Sequence, residues 1–470
     1  MNCWSPLNSE INRPGVRIPR SLLAAILIAS GSAAWAAEPS LPYTVRPSDK
    51  LIVLAREMLH RPSDWNEVAR FNKMKDPNFI KPGQRLEIPL RLLRSAPAAG
   101  TLVSAEGDVQ LGGSAAATGS AIGEGSRLQV GANSSAVVEL HDGSRVKLLP
   151  NTLAEVVTSR DYALRDASAS GSSNWFSGLI RLSQGAIETL ASKVARRAAP
   201  LQVETPTSLV GVRGTEFRVA YDNSAERLAR TEVTEGLVRA DNPAQQSGAD
   251  LPQGTGAVIN PAQKAVNVVQ LLRAPDLAGV PAEVQLPQGL WPLPSLEGAS
   301  SFRVQVASDA KFDKIVRDLK AAGPGVELAG LTPGDWYARV RGIDGQGLEG
   351  FDAVKLIAVR DGRWPVGNTG IRALNGDTLL NFGVAPDAVF TKIEAELALD
   401  AAFTRRVRQD TLTTPLWNLG TLDASTVYYV RFRLVNASGQ SRPSETYRFQ
   451  LPGNWGTTVF DVASPLQRLN

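Results

Sequence analysis

Residues 201–219 read L-Q-V-E-T-P-T-S-L-V-G-V-R-G-T-E-F-R-V. Apolar residues recur at alternate positions towards both ends of this stretch, a period of two that predicts strands with one buried face. Pro206 has no backbone N–H to donate to a ladder, so we expect the chain to turn or leave the sheet there. Gly211 and Gly214 lie three residues apart, a spacing that suits positive φ or a close backbone approach. The stretch therefore predicts turns between half-buried strands of a β domain.

The order T-P-T-x-x-V-G-V-R-G-T-E-F within this stretch resembles the core motif of the FecR domain, a β-rich envelope module known from a periplasmic iron-signalling regulator. Segments that fit the other strands of that family follow one another between residues 100 and 240. The resemblance implies a FecR-like β domain over residues 100–275 that meets an envelope protein or signal. Its motif residues are Gly211, Val212, Arg213, Gly214 and Thr215. We favour a structural role for this turn, and a recognition role for Arg213 stays open.

Length and composition predict several soluble domains. The chain has 470 residues, more than one compact core usually holds, and it is 43% hydrophobic and 20% charged. Residues 1–36 combine arginines, a short apolar run and an A-x-A site, the pattern of a signal peptide; a retained anchor is the alternative. Nothing later has the length of a membrane-spanning helix. We therefore expect a periplasmic or secreted protein that is not an integral membrane protein.

Charge and cysteine content exclude further classes. The formal net charge is +4, and it falls to +2 without the signal peptide, which holds three arginines and one glutamate. So balanced a chain gives no electrostatic reason to expect a nucleic-acid partner. The single cysteine, Cys3, lies in the signal peptide, so the mature chain has no disulfide and no cysteine ligand. We predict no metal site and no cofactor.

Residues 43–89 predict a β-α-α-β unit. Asp49 can cap a helix whose apolar stripe has the spacing i, i+3, i+4, i+7, and a second helix and a closing strand follow. The order resembles the LysM domain, a binder of N-acetylglucosamine-containing glycans such as peptidoglycan, and we assign residues 38–90 to it. The family usually has G-D-T-L where this chain has S-D-K-L, residues 48–51.

The LysM resemblance implies a glycan groove between two loops. The corresponding residues in this chain are Ser48, Asp49, Lys50, Leu51, Pro77, Asn78, Phe79 and Ile80. Such a groove needs backbone donors and acceptors together with apolar contact to the N-acetyl methyl group. Lys50 could instead favour the carboxylates of peptide stems. The alternative is a LysM fold that only docks on a neighbouring domain.

The last third of the chain contains an internal repeat. Residues 302–316 align without gaps to residues 393–407, and residues 336–341 match residues 428–433 after one inserted residue. Each copy is rich in strands and resembles a fibronectin type III-like module, over residues 280–360 and 365–452, with a tail at 453–470. The repeats could be spacers or could have their own protein partner, and we favour spacers.

Two local features complete the prediction. Asp142-Gly143 forms a tight hairpin turn between two alternating strands. Lys193, Arg196 and Arg197 form a small basic cluster, either in a solvated loop or in contact with an acidic surface. We favour the solvated loop.

We find no nucleophile elbow, zinc-protease motif, phosphate-binding loop or calcium loop. The predicted fold class is therefore a mainly β multidomain protein without a catalytic site: a LysM unit, a FecR-like domain and two tandem β-sandwich repeats. The function predicted from the resemblances is that of a peptidoglycan-binding adaptor or signalling scaffold of the cell envelope with an unidentified protein partner. The alternative is an accessory of a cell-wall remodelling hydrolase, or an enzyme with an unrecognised active site.

Overall fold

The structure is a computed structural model that describes residues 38–165, 172–193, 197–212, 214–286, 289–384, 388–437, 439, 441–455, 462–463 and 465–469. The predicted signal peptide and Arg213 lie outside the described residues. The described part belongs to one compact unit, Glu38–Asn470, and it is mainly β, as the sequence predicts.

The first domain has the predicted β-α-α-β order. Its elements are β1 Ser40–Thr44, α1 Leu51–Met58, α2 Trp65–Phe71 and β2 Arg85–Pro89, with 3-10 turns at Pro62–Asp64 and Leu90–Leu92. Strands β1 and β2 pair antiparallel, with Tyr43 opposite Leu86. The helix stripe predicted from the sequence is buried in the domain core.

In the described residues of the FecR-like region, the regular elements are strands and one 3-10 turn at Pro243–Gln245. Its strands are β3 Ser95–Pro97, β4 Gly100–Glu106, β5 Val109–Leu111, β6 Ser114–Ala115, β7 Ala121–Ile122, β8 Arg127–Val130, β9 Ser135–Glu139, β10 Arg145–Leu148, β11 Thr152–Arg165, β12 Ser172–Leu190, β13 Leu201–Glu204, β14 Leu209–Val212, β15 Glu216–Tyr221, β16 Ala229–Glu235, β17 Leu237–Asn242, β18 Ser247–Pro252, β19 Thr255–Ile259 and β20 Val268–Gln270. They pair into two sheets, which strand β12 joins into one closed set of strands, around one apolar core.

We call these sheets I and II. Sheet I contains β5, β6, β8, β11, β13, β14, β17 and β18, and β3 pairs along β11. Sheet II contains β4, β7, β9, β10, β15, β16, β19 and β20. The alternation predicted for residues 201–219 is confirmed, because its apolar members are buried in the core between the sheets: Leu201, Val203, Val210, Val212, Phe217 and Val219.

Strand β12 belongs to both sheets. Its first part pairs with β11 in sheet I, and Gly185–Leu190 pairs with β15 in sheet II. Gly185 has φ 89° at the point where the strand changes sheets, and a Cβ there would lie 2.6 Å from the Cα of Thr152. Only glycine tolerates both the left-handed backbone and this approach.

The two C-terminal repeats are β-sandwiches. Repeat 1 contains β21 Glu283–Leu286, β22 Leu290–Pro292, β23 Ser301–Ala307, β24 Ile315–Ala321, β25 Gly325–Glu327, β26 Gly334–Ile343 and β27 Ala353–Asp361. Repeat 2 contains β28 Gly367–Leu374, β29 Asp377–Gly383, β30 Lys392–Ala398, β31 Arg406–Leu412, β32 Leu416–Gly420, β33 Val427–Val435, β34 Ser441–Pro443 and β35 Tyr447–Gln450. The tail residues supply β36 Val462–Ala463, which pairs with β28, and β37 Gln467–Arg468, which pairs with β35.

The domains pack against one another. Tyr162 and Leu164 of β11, with Ala198 and Ala199, are buried in the core of the LysM unit. The long hairpin of β11 and β12 therefore carries the LysM unit. On the other side, repeat 1 lies over sheet II, where Ser135 Oγ accepts a hydrogen bond from the N–H of Ile315 at 3.0 Å.

Candidate functional site

The two predicted glycan loops lie on the surface of the LysM unit. Ser48, Lys50, Asn78 and Phe79 are exposed, whereas Pro77 and Ile80 are half-buried. Phe79 stands out because 66% of an apolar ring is open to solvent, with Lys81 Nζ 5.8 Å from the ring centroid. An exposed ring beside backbone polar groups suits contact with a sugar.

Two of the predicted residues turn away from the groove. Leu51 is buried in the domain core, so its side chain is withdrawn from the predicted contact. Asp49 Oδ2 accepts hydrogen bonds from the Tyr43 hydroxyl at 2.6 Å and from the Arg46 N–H at 2.8 Å. Helix α1 begins at Leu51, with Lys50 as the N-cap residue and no side-chain cap, so the expected capping role of Asp49 is wrong. Asp49 instead fixes the loop to strand β1.

Ser48 has a left-handed backbone, with φ 74°. This is the position at which LysM domains usually have glycine, the residue that adopts such a conformation without steric cost. The second loop is held by a short turn, in which the Asn78 N–H donates to Asp76 Oδ1 at 2.9 Å. Both loops are thus shaped by local bonds that leave Lys50 and Phe79 facing solvent.

The LysM unit docks and keeps its loops exposed at the same time. Its contact with the β11–β12 hairpin uses the core of the unit, while the C-terminal connection is tied by hydrogen bonds from His60 N–H to Leu92 O and from Arg94 N–H to Met58 O. The LysM unit therefore docks on its neighbour, and the docking does not cover the loops.

The FecR motif is built into the core between the two sheets. Val212 and Thr215 are buried, and Gly214 has φ 67° in the turn between β14 and β15. Gly211 lies inside β14 opposite Gln202 without positive φ, so the prediction of a special conformation or close approach is wrong for this residue. The described residues of the motif thus position strands.

Replacing Gly214 with alanine is expected to destabilise the protein by about 1–2 kcal/mol, the cost of left-handed backbone for an L-residue. The added Cβ would have room, because its nearest neighbour is Lys193 Cα at 3.5 Å. Urea unfolding of residues 37–470 measures the loss. Gly211→Ala is the matched control, because its Cβ would meet only Pro200 Cβ at 3.8 Å, and equal losses in both variants would contradict the role of the turn.

The basic cluster differs from the prediction. Arg197 is buried and its Nη2 lies 2.8 Å from Asp142 Oδ2 in the hairpin turn between β9 and β10. The solvated-loop interpretation is therefore wrong for Arg197, and the acidic partner is within the chain. Lys193 pairs with Glu235 at the surface, and Arg196 lies outside the described residues.

A buried ionic network joins sheet II to repeat 1. Arg339 and Arg341 of β26 both contact Glu188 of β12, with Arg339 Nη2 3.0 Å from Glu188 Oε1. Arg341 also pairs with Asp352 and, at 2.8 Å, with Glu349 Oε2. Glu188 lies between these two arginines, so one ionic network contains side chains of both the FecR domain and repeat 1.

Arg218 of β15 enters the same network from the FecR side. Its Nη2 donates to the carbonyl oxygens of Glu349 at 2.6 Å and Gly350 at 2.7 Å, and its Nη1 lies 3.3 Å from Asp352. Its Nε lies 3.6 Å from Glu232 Oε2, too far for a hydrogen bond. Glu232 accepts a hydrogen bond from the backbone N–H of Glu349 at 3.2 Å, and its contact with the Arg218 guanidinium is long.

The pKa values of the network carboxylates move in opposite directions. Burial raises the pKa of Glu188, but Arg339 and Arg341 outweigh it and hold that pKa well below the ordinary range. Burial raises the pKa of Glu232 to about 7, because the long contact with Arg218 offsets only part of the lost hydration. Glu349 adds to this rise as a neighbouring negative charge.

Because the folded-state pKa of Glu232 is raised, its proton stabilises the fold fully below the unfolded pKa of about 4.3, and this contribution is lost as pH rises through about 7. Glu232→Gln removes the titrating group. We therefore expect the free energy of unfolding of the variant, relative to wild type, to increase between pH 5 and pH 8, measured by urea unfolding.

The matched control is Glu226→Gln, which removes an exposed carboxylate, and its difference from wild type should be flat over the same pH range. A flat difference for Glu232→Gln as well would contradict the assignment.

Comparisons with known proteins agree with these domains. The model of the LysM domain matches residues 43–89, and the model of the FecR protein family matches residues 126–239. The chain therefore contains a LysM domain and a FecR domain, which are binding and signalling domains. In the part of the chain that the structure describes, no helix has the length and apolarity to cross a membrane.

Solved structures with local likeness are of two kinds. Two crystal structures of proteins assigned as anti-sigma factors from Parabacteroides distasonis are 20% and 17% identical, cover 31% and 36% of this chain, and have TM-scores of 0.23 and 0.25. The chain spans 59% of the first of them and 82% of the second. The FN1–FN3 domains of chicken CNTN1 are 10% identical over 50% of this chain and 98% of that one, with a TM-score of 0.20. The comparison with curated proteins found no match.

Proposed function

We propose that the protein is a cell-envelope adaptor that binds peptidoglycan, or another N-acetylglucosamine-containing glycan, through its LysM loops. The observation that carries the proposal is the exposed ring of Phe79 on a loop that stays open while the LysM domain is docked. A sugar is neutral and polyhydroxylated, so it is recognised by backbone groups and apolar contact. The loops of residues 48–51 and 76–80 offer both.

The FecR domain is the part that we assign to a protein partner or an envelope signal. Val212 and Thr215 of its motif are buried in its core, so the partner would meet other surfaces of the domain. We place the protein in the periplasm or outside the cell, in contact with the wall, and we assign it no catalytic activity. This assignment rests on the two domains, which bind and signal. Release of soluble fragments from purified peptidoglycan by the protein alone would contradict it.

Residues 37–470 are expected to co-sediment with purified peptidoglycan and to be displaced by N-acetylglucosamine oligomers. Affinity should be modest, about micromolar to millimolar, because a shallow groove buries little surface. Phe79→Ala removes the exposed ring, and we expect about tenfold weaker binding, equivalent to about 1.4 kcal/mol.

Leu237→Ala is the matched control, since Leu237 is also exposed and apolar but lies on strand β17 of the FecR domain. It should bind as wild type does. The glycan proposal fails if the wild-type protein stays in the supernatant at high wall loading.

The protein partner is tested by affinity capture from envelope extract with wild type and the Phe79→Ala variant, which keeps all domains in place. A partner of the FecR domain should be captured by both proteins, whereas one bridged by the wall should be lost with Phe79. If neither protein retains an envelope protein, the adaptor part of the proposal is wrong.

A further inference from the structure

The two repeats hold the same cation–aromatic pair at equivalent positions. In repeat 1, the Cζ of Arg339 lies 4.6 Å from the ring centroid of Phe312. In repeat 2, the Cζ of Arg431 lies 4.1 Å from the ring centroid of Phe403. The internal alignment places Arg431 on Arg339 and Phe403 on Phe312. The two arginines therefore occupy the same strand and the same face of equivalent sheets.

The arginines of repeat 1 are covered, and the covering sheet supplies a carboxylate. The side chains of Arg339 and Arg341 are 8% and 1% exposed, and both contact Glu188 of sheet II. Their equivalents in repeat 2, Arg431 and Arg433, are 39% and 53% exposed. In the part of the chain that the structure describes, this face of repeat 2 is therefore open. Repeat 1 shows that such an arginine pair accepts one carboxylate from a covering strand.

The open face of repeat 2 carries more cations than carboxylates. We call the following six residues the repeat-2 face: Lys392, Glu394, Glu396, Arg406, Arg431 and Arg433. Glu394 Oε1 lies 2.9 Å from Lys392 Nζ, and Glu394 Oε2 lies 4.0 Å from Arg433 Nη1. Glu396 contacts Arg431 and lies 3.7 Å from Arg406 Nη1. Four cations thus share two carboxylates, and the difference of four and two leaves a formal charge of +2.

The positive charges also lie outermost. The side chains of the four cations are 39–54% exposed, whereas those of Glu394 and Glu396 are 31% and 16% exposed. Arg433 Nη1 is beyond hydrogen-bonding distance of Glu394, so this guanidinium keeps donors for another acceptor. Arg448 of the neighbouring strand β35 lies on the same side of the sheet and is exposed. Asp400, in the loop before β31, accepts hydrogen bonds from backbone N–H groups of that loop.

We propose that the repeat-2 face binds an extended acidic segment of a protein partner, with one carboxylate of that segment between Arg431 and Arg433, as Glu188 is held in repeat 1. Alternate side chains of an extended chain point to the same side and are about 6.6 Å apart, at about 3.3 Å per residue. A row of acidic residues therefore has the same spacing as the two arginines of β33. This gives repeat 2 a partner of its own, the alternative to a spacer.

Charge complementarity and the precedent in repeat 1 both favour this occupant. A basic segment would be repelled by the four cations, whereas an acidic segment adds the carboxylates that the repeat-2 face lacks. Once a partner excludes water, a cation without a counter-charge is costly, so added carboxylates are required for the face to be covered. The group that covers repeat 1 is a carboxylate on a strand, which favours an acidic polypeptide over a phosphate-bearing lipid surface.

A labelled peptide of alternating glutamate and threonine is the probe, with about twelve residues and a length of roughly 40 Å when extended. Fluorescence anisotropy with residues 37–470 should detect binding at low salt, and binding should weaken as salt is raised, because exposed charges are screened. The peptide with glutamine in place of glutamate should not bind. Arg433→Gln should weaken binding of the acidic peptide at least about fivefold, because it removes the most weakly paired guanidinium of the face.

A charge reversal makes the test independent of a loss of fold. Arg431→Glu with Arg433→Glu gives the repeat-2 face two cations and four carboxylates. This double variant should lose the acidic peptide and bind a peptide of alternating lysine and threonine, which the wild-type protein should not bind. A loss of fold cannot produce this gain. If the double variant does not fold, the effect of Arg433→Gln decides, at a side chain that is more than half exposed.

Arg372→Gln is the matched control, because Arg372 is exposed on β28, in the other sheet of the same repeat. Its variant should bind the acidic peptide as wild type does. Phe79→Ala should also bind this peptide as wild type does, since Phe79 lies in the LysM domain. Failure of the peptide experiment therefore leaves the glycan proposal unaffected, and the two proposals can fail separately.

Vesicles that contain phosphatidylglycerol test the other anionic occupant, a lipid surface. The wild-type protein should not float with them at the salt concentration at which it binds the acidic peptide. Flotation that Arg433→Gln abolishes would overturn the proposal in favour of a membrane. An acidic peptide that does not bind the wild-type protein overturns it as well, and so does equal weakening of peptide binding in Arg433→Gln and Arg372→Gln.

Discussion

Replacing Arg341 with alanine is expected to destabilise the protein by about 3–5 kcal/mol, the cost of removing one partner from a buried ion pair. The guanidinium is fully enclosed and contacts Glu188, Glu349 and Asp352. Without it these three carboxylates share the remaining arginines, and their mutual repulsion is no longer balanced. Urea unfolding of residues 37–470 at pH 7 measures the loss.

The control for this change is Arg360→Ala. Arg360 belongs to the same repeat and pairs with Asp335 at 3.1 Å, but both side chains are exposed, so the expected change is within about 0.5 kcal/mol. The free energy of unfolding should also become less sensitive to acid in the Arg341 variant, because the pKa of Glu188 is held low partly by Arg341. A variant as stable as Arg360→Ala would mean that the network does not join the domains.

Gly185→Ala is the second change with a large expected effect, a loss of about 2–5 kcal/mol. The left-handed backbone accounts for one part of this loss, because it costs an L-residue about 1–2 kcal/mol. The rest is overpacking of about 1–3 kcal/mol, because the new Cβ would lie 2.5 Å from Thr152 Oγ1 and 2.7 Å from the carbonyl oxygen of Asn151. Thermal and urea unfolding should agree in direction.

Gly112→Ala separates the two causes. Gly112 also has positive φ, 61°, but no atom beyond its chain neighbours lies within 4 Å of an added Cβ. This variant should lose only the backbone part, about 1–2 kcal/mol. If Gly112→Ala and Gly185→Ala lose the same amount, the close approach at the sheet crossing has no effect of its own.

Short sequence patterns predicted the parts of the fold that depend on neighbouring residues alone. The alternation in residues 201–219 and the helix stripe of α1 follow from one buried face each, and Asp142-Gly143 forms the expected hairpin turn. The internal repeat was visible because both copies keep the same strand spacing. Gly185 gave only the weaker signal of a glycine inside a strand pattern.

The ionic network could not be predicted from sequence patterns. Arg339 and Arg341 alternate with apolar residues along β26, a pattern that reads as a solvent-facing row in either repeat. Their partner Glu188 is about 150 positions earlier and in another domain. Arg197 was misjudged for the same reason, because burial of a charge depends on a distant partner. In the candidate site, the loops and the burial of Leu51 in the helix stripe were predicted, but the inward direction of Asp49 was not.

The hairpin of β11 and β12 has a mechanical consequence. Tyr162, Leu164 and Trp175 of this hairpin pack in the LysM core, and β12 continues through Gly185 into sheet II. If the LysM loops hold the wall, tension on the wall is transmitted along a continuous strand into the centre of the FecR domain. The force that the protein withstands would then depend on the rate at which the hydrogen bonds between β11 and β12 break, and not on the affinity for glycan alone.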